Sequence, residues 1–261
     1  MSMVEDTELR DLAKAVVGGG ASEPFGAYVF GPDEPGAFLG RYLEREVFLE
    51  SFGNTLELLT EEYAQYERSS MFIVVIDHLR YLPAGVIRVI KPSISGFKSL
   101  NDLKPVWGET GDAMMERTGL TFPPDRIWDV ATLAVPPDYR AKATQGLVAM
   151  GLYQTLSLAA RDCGVDLLVT ILDMPVFRLL RWKLHLIFAG YRGVGPQPYL
   201  GSAASMPAWC DLASAERHLA EAAPEMHEIL TQGIGLEPAL RLADLSRLSD
   251  DGYLGDIAAA S

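Results

Sequence analysis

The first sustained hydrophobic period begins at Ala37. Leu39, Leu43 and Val47 recur at every fourth position, and Phe48 and Phe52 widen the same face, which predicts an amphipathic helix. The stretch FGNTLE interrupts it. Asn54 with Glu57 three residues later has the form of a capping box, and Leu56, Leu59, Tyr63 and Tyr66 supply the stripe of a second helix. The period then shortens. MFIVVID (71–77) and AGVIRVIKP (84–92) are β-branched runs separated by HLRYLP, the pattern of an antiparallel hairpin. Residues 93–126 mix turn signals with short amphipathic stretches, so loops around one or two short helices are expected.

The second half alternates between the two periods. IWDVATLAV (127–135) is apolar enough for a central strand buried on both faces. Val148, Leu152, Leu156, Ala159 and Cys163 mark a helix over 145–163, closed by Gly164. VDLLVTIL (165–172) reads as another central strand, 175–188 as a helix, and 191–193 and 208–212 as weaker strands. Before Ala37, a short helix (7–17), a possible strand at AYVF and the turn-rich GGGASEPFG and GPDEPG read as an arm. From Ser214 the pattern is helical again, with Pro224 suited to a first turn and Gly233 to a stop. The expected organisation is an arm (1–37), one α/β domain (38–212) and a helical tail (213–261).

Composition narrows the function classes. A chain of 261 residues with 49% hydrophobic residues has material for a sizeable core. No run approaches the roughly 18 apolar residues of a membrane span. The opening MSMVEDTELRDLAK lacks the apolar segment of a secretory signal, so a cytoplasmic location is expected. Two cysteines and four histidines, without ligand spacing, argue against a disulfide framework and a structural metal. Cys163, on the apolar side of its helix, reads as core filler. The net charge of −13 is unevenly spread: residues 1–67 carry four basic and fourteen acidic side chains, and residues 136–210 seven and four. The acidic ends argue against general nucleic-acid binding, and the central block is where an anionic ligand would sit.

That block contains LAVPPDYRAKATQG (133–146), a basic loop between a buried strand and a helix. Unpaired N–H groups and the helix dipole make a helix start an anion site. Arg140 and Lys142 precede the start, and Ala141, Ala143 and Gly146 leave room for a phosphate. The loop is either a pyrophosphate cradle or a solvated turn with two incidental cations.

In element order, and in the segments FIVVID, AGVIRVI, TLAVPPDYR and GLVAMGLYQTLSLAARDCGVDLLVTIL, the chain resembles the GNAT acyltransferases over roughly residues 40 to 212. The resemblance implies an α/β fold with a mixed central sheet, an N-terminal helix pair and a βαβα core. Within that superfamily the chain is similar to the acyl-homoserine-lactone synthase and N-acyl amino acid synthase branch in three places. These are Glu44-Arg45-Glu46-Val47-Phe48, the hairpin end from Arg88 to Ser93, and Trp128-Asp129-Val130-Ala131-Thr132, where Thr132 replaces the branch's Arg. The implied activity is transfer of an acyl group from an acyl-CoA or acyl-carrier-protein thioester to a small-molecule amine, without a metal. An acetyl-CoA-dependent acetyltransferase and a non-catalytic ligand-binding module are the alternatives.

The resemblance also assigns residues. The end of the central strand (Leu133, Val135) and the loop (Arg140, Lys142, Ala143, Gln145, Gly146) fall where the family binds coenzyme A, although Ala143 and Gln145 occupy its two small positions. Asp129 is the candidate base or amine anchor, since two-residue periodicity puts it on one face with Ala131, Leu133 and Val135. Its alternative is a strand-edge acid pairing with Arg126 or Arg88. Arg88 interrupts an apolar strand and is read as contacting a substrate carboxylate or Asp129, or else as lying on an exposed face. Trp128 is a pocket wall or core residue; Tyr63 and Tyr66 are stripe residues first and acceptor hydroxyls second. The family's thiolate-protonating Tyr aligns near Leu186, beside His185. The apolar stripe Leu179, Leu180, Trp182, Leu186, Ile187 and Phe188 lines an acyl tunnel or is plain core.

Overall fold

A computed structural model describes residues 3–19, 21–246 and 248. The chain runs α1 (Met3–Val17), β1 (Phe25–Phe30), α2 (Ala37–Phe52), α3 (Leu56–Tyr63), β2 (Ser70–Asp77) and β3 (Leu82–Ile90). Three short helices follow, α4 (Lys98–Asn101), α5 (Leu103–Trp107) and α6 (Gly111–Thr118). Next come β4 (Ile127–Ala134), α7 (Ala141–Thr144), α8 (Leu147–Asp162), β5 (Leu167–Asp173) and α9 (Met174–Lys183). The last described elements are β6 (Ala189–Gly190), β7 (Gln197–Tyr199), β8 (Ser202–Asp211), α10 (Leu212–Ala222), α11 (Pro224–His227) and β9 (Leu240–Arg241).

The strands form one mixed sheet in the order β6-β8-β5-β4-β3-β2-β1-β9, with β7 attached to β8. The β2–β3 hairpin is buried on both faces because helices cover both. Ile73, Val75, Ile87 and Val89 pack with Val148 and Leu152 of α8, whereas Phe72, Val74, Ile76 and Val86 pack with α1 and α2. Gly85 permits the close approach of α8, since a Cβ there would lie 2.7 Å from Val148 Cγ1. A third core, around Phe97, Leu103, Met114 and Tyr191, fills the space under α4–α6.

Several local expectations change. The segment expected as an arm contributes β1, which pairs with β2 over six residues and with β9 in parallel. The cap of α3 is Thr55, whose hydroxyl accepts from the Leu58 N–H. Asn54 instead donates to the Leu200 carbonyl, tying the α2–α3 link to the β7–β8 turn. The helix expected over 175–188 ends at Lys183, and His185 has φ 54°. β8 is ten residues long where a short strand was expected, because it spans β5, β6 and β7. Of the expected helical tail, 249–261 lie outside the described residues.

Two irregularities in β4 position the site. Arg88 pairs with Thr132 but Val89 with Val130, so Ala131 is a β-bulge with no partner on β3. A bulge reverses the alternation of side chains beyond it. Asp129 therefore does not share a face with Leu133 and Val135, as periodicity predicts: those two pack in the α8 core, and Asp129 points to the opposite side. The second irregularity is that β4 and β5 pair in parallel only from Ile127↔Leu167 to Asp129↔Val169. Beyond that the strands part, and Thr170 Oγ1 donates to the Val130 carbonyl at 2.8 Å where the ladder stops.

Candidate active site

A cavity opens on each face of the sheet where β4 and β5 part. Val130, Leu133, Thr170 and Leu172 line both. The cavity on the α8 face measures about 300 Å³ and is walled mainly by apolar side chains, among them Leu156 of α8, Leu180 of α9, Phe188, Cys210 and Leu219. The opposite cavity, about 120 Å³, is bounded by Phe48 and Phe52 of α2, Tyr63 of α3, Ala131 and Thr132 of the bulge, Asp173, Tyr199 and Ser202. Leu180, Leu186 and Phe188 of the expected acyl-tunnel stripe line the larger cavity, whereas Leu179 and Trp182 are exposed. Burial pushes the Cys210 thiol up to about 12, so it is neutral wall material.

Two buried ionic clusters border the smaller cavity. Arg88 donates to Glu44 (2.6 Å from Nη2 to Oε2), to Glu67 (2.8 Å) and to Ser70. Thr132 donates to the same Glu44, and the Tyr63 hydroxyl lies 3.1 Å from Thr132 Oγ1. Burial and the Glu44 charge hold the Tyr63 hydroxyl well above its ordinary value, so it stays protonated. In the second cluster Lys98 donates to Glu62, Asp102 (2.6 Å) and Tyr199 (3.2 Å), and Tyr199 in turn donates to Asp102 at 2.5 Å. Sequence reading missed this cluster: Lys98 and Asp102 stand at i,i+4, but Glu62 of α3 and Tyr199 of β7 join them only through the fold.

The expected site residues are dispersed. Arg88 is 3% exposed, so it is neither on an exposed face nor paired with Asp129. Its carboxylate partners are Glu44 of α2 and Glu67 of the turn after α3. Asp129 is wholly buried and lines neither cavity; it accepts from the Ser99 N–H (2.8 Å) and the Ser99 hydroxyl (2.6 Å), so it caps the start of α4. Burial pushes its carboxyl up to about 6, against the pull of those hydrogen bonds. Arg126, its other expected partner, pairs with Asp166. Trp128 is core on the α8 face and outside both cavities. Tyr66 accepts from Asn101 at 2.8 Å, and His185 touches neither cavity.

The basic loop folds differently from a simple helix start. A single turn, α7, intervenes, then Gln145 and Gly146 take positive φ (53° and 83°) before α8 begins at Leu147. Gly146 provides no side-chain cap, which leaves the first N–H groups of α8 to other acceptors. Arg140 turns back to donate to the Val135 carbonyl at 3.0 Å, while Lys142 and Ala143 are exposed. Tyr139 anchors the loop by donating to Asp77 at 3.0 Å. None of Arg140, Lys142, Ala143, Thr144, Gln145 and Gly146 lines either cavity.

No family model and no curated protein matches the sequence. Solved structures do match. The CoA-dependent acyl-homoserine lactone synthase BjaI, solved with SAM and isopentyl-CoA, superposes with TM-score 0.50 at 14% identity over 85% of this chain and 97% of its own. FeeM, an N-acyl amino acid synthase from uncultured soil microbes, gives 0.53 at 12% over 74% and 94%. The AHL synthase LasI gives 0.52 at 14% over 82% and 96%. With these matches, the mixed central sheet and its covering helices give the chain a GNAT-like α/β fold.

Proposed function

We propose that the protein is an N-acyltransferase that moves an acyl group from a phosphopantetheine thioester, carried by CoA or by a carrier protein, to a small-molecule amine. The observation that carries this reading is the meeting of two cavities at one strand split. The larger, apolar one suits an acyl chain, and the smaller, polar-edged one suits an acceptor. The thioester carbonyl then lies between them. The amine nitrogen attacks the carbonyl carbon, the C–N bond forms and the C–S bond breaks. The departing sulfur takes up the proton released from nitrogen, giving an amide and a free thiol.

Roles follow from position. The bulge at Ala131, outside both ladders, supplies peptide dipoles beside the developing oxyanion. Leu133 borders the acyl chain, with Val135 at the strand end beyond it. Lys142, with the uncapped start of α8 at Gly146, attracts the anionic end of the donor. Arg140, Ala143 and Gln145 shape that loop. Asp129 acts as a positioning residue through Ser99, and Arg88 holds Glu44 and Thr132 beside the acceptor.

Affinity for acyl-CoA thioesters of graded length, measured by intact-complex mass spectrometry, tests the reading. Each added methylene that enters the apolar cavity contributes about 0.8 kcal/mol, roughly fourfold in affinity, until the cavity is filled. Absence of binding at every length, both for acyl-CoA and for the same acyl groups on a carrier protein, would overturn the proposal. Equal affinity for acetyl and longer chains would reassign the donor to acetyl-CoA, and binding without transfer to any amine would leave a ligand-binding module.

A further inference from the structure

We infer that the acceptor is a cationic amine recognised without a carboxylate contact, and that Asp173 holds its ammonium group. The inference rests on the acyltransferase reading and goes beyond it to the class of acceptor. Among the described residues lining the smaller cavity there is no Lys, Arg or His, and Asp173 is the one carboxylate. Asp173 ends β5 at the parted strands and accepts from the buried Ser202 hydroxyl at 2.5 Å, which orients it while leaving its second oxygen for a ligand.

The nearby cations are already engaged. Arg88 is held by Glu44, Glu67 and Ser70, and Lys98 by Glu62, Asp102 and Tyr199. A substrate carboxylate entering the cavity would meet no free positive side chain and would face Asp173. An ammonium meets the opposite situation, and it gives its extra proton to solvent before the neutral nitrogen attacks the thioester. Two aromatic walls add to it: Phe48 and Phe52, with ring centroids 5.3 Å apart, present π surface, which attracts cations, whereas Tyr63 and Tyr199 already hold Arg88 and Lys98 against their rings. The cavity, about 120 Å³, admits the amine head and a short alkyl segment of the acceptor.

The test uses the full chain, one acyl-CoA donor that binds it, and matched acceptors differing only in the carboxylate: alanine, alaninamide and ethylamine; lysine and its decarboxylated diamine. Donor affinity is measured separately on the same preparation, so loss of donor binding reports against the acyltransferase reading and not against this inference. The expected result is kcat/KM at least about tenfold higher for the amines and amide than for the free amino acids, reflecting one unpaired buried charge. In Asp173→Asn, donor affinity stays as in the parent while KM for the amines rises at least tenfold and the preference over amino acids disappears. Ser202→Ala, which frees Asp173 without removing its charge, retains the preference with a smaller rise in KM. A preference for free amino acids overturns the inference. So does an unchanged acceptor profile in Asp173→Asn, or bound donor with no amine bound or acylated.

Discussion

Asp129 is sealed from water with a hydrogen bond from Ser99 to each oxygen, yet its carboxyl is pushed up to about 6, so burial outweighs those bonds. A carboxyl whose folded pKa lies above its unfolded one binds the proton more tightly in the native state. Its contribution to stability is therefore fullest at acid pH and is lost as pH rises from about 4 through 6. Asp129→Asn keeps the shape and removes the titration. The stability of the variant relative to the parent, from urea unfolding, should rise between pH 4 and pH 7, by on the order of 2–3 kcal/mol. A difference independent of pH would show that this carboxyl is not desolvated as described. Arg88 offers the contrasting case: a cation in an apolar strand announced a buried partner, but the partners, 44 and 21 residues away in sequence, emerged only when α2 and the turn after α3 packed on the sheet.

Among elements, β4 and the loop after it depart furthest from their sequence pattern. A single unpaired residue, Ala131, changes which face every later side chain occupies. The loop illustrates the competition between local ties and ligand binding. Arg140 is spent on the Val135 carbonyl, and the exposed Lys142 is free to meet an anion. Lys142→Ala should therefore weaken CoA binding several-fold, more at about 0.1 M than at 1 M salt, with stability unchanged within about 0.5 kcal/mol. Titration calorimetry at the two salt concentrations, with thermal unfolding alongside, checks this. Unchanged affinity at the lower salt would remove Lys142 from the donor site.

At the scale of the molecule, the first and last described strands pair. β9 pairs with β1, and Leu240, 2% exposed, packs so close to Gly151 that a Cβ there would lie 2.3 Å from Leu240 Cδ1. Gln154 and Arg161 of α8 donate to the Ile229 and Thr231 carbonyls and fasten the same segment. Leu240→Ala should cost about 2–5 kcal/mol in urea unfolding. A loss below about 1 kcal/mol would mean that this end of the chain adds little to the core. Among the described residues no helix is long and apolar enough to cross a membrane.

The sequence by itself determined the kinds and order of the main elements: the helix pair, the hairpin, and the strand-helix-strand-helix run that gives the mixed sheet. Hydrophobic period is a local property, and burial enforces it along each segment. It also marked the basic loop and the out-of-place Arg88. Only the tertiary structure decided the phase of β4 beyond Ala131, the parting of β4 from β5, and the gathering of Asp173, Ser202, Tyr199, Phe48 and Tyr63 around one cavity. Bulges and divergent strands arise from partner geometry rather than residue type. A pocket built from seven elements has no signature within any one of them.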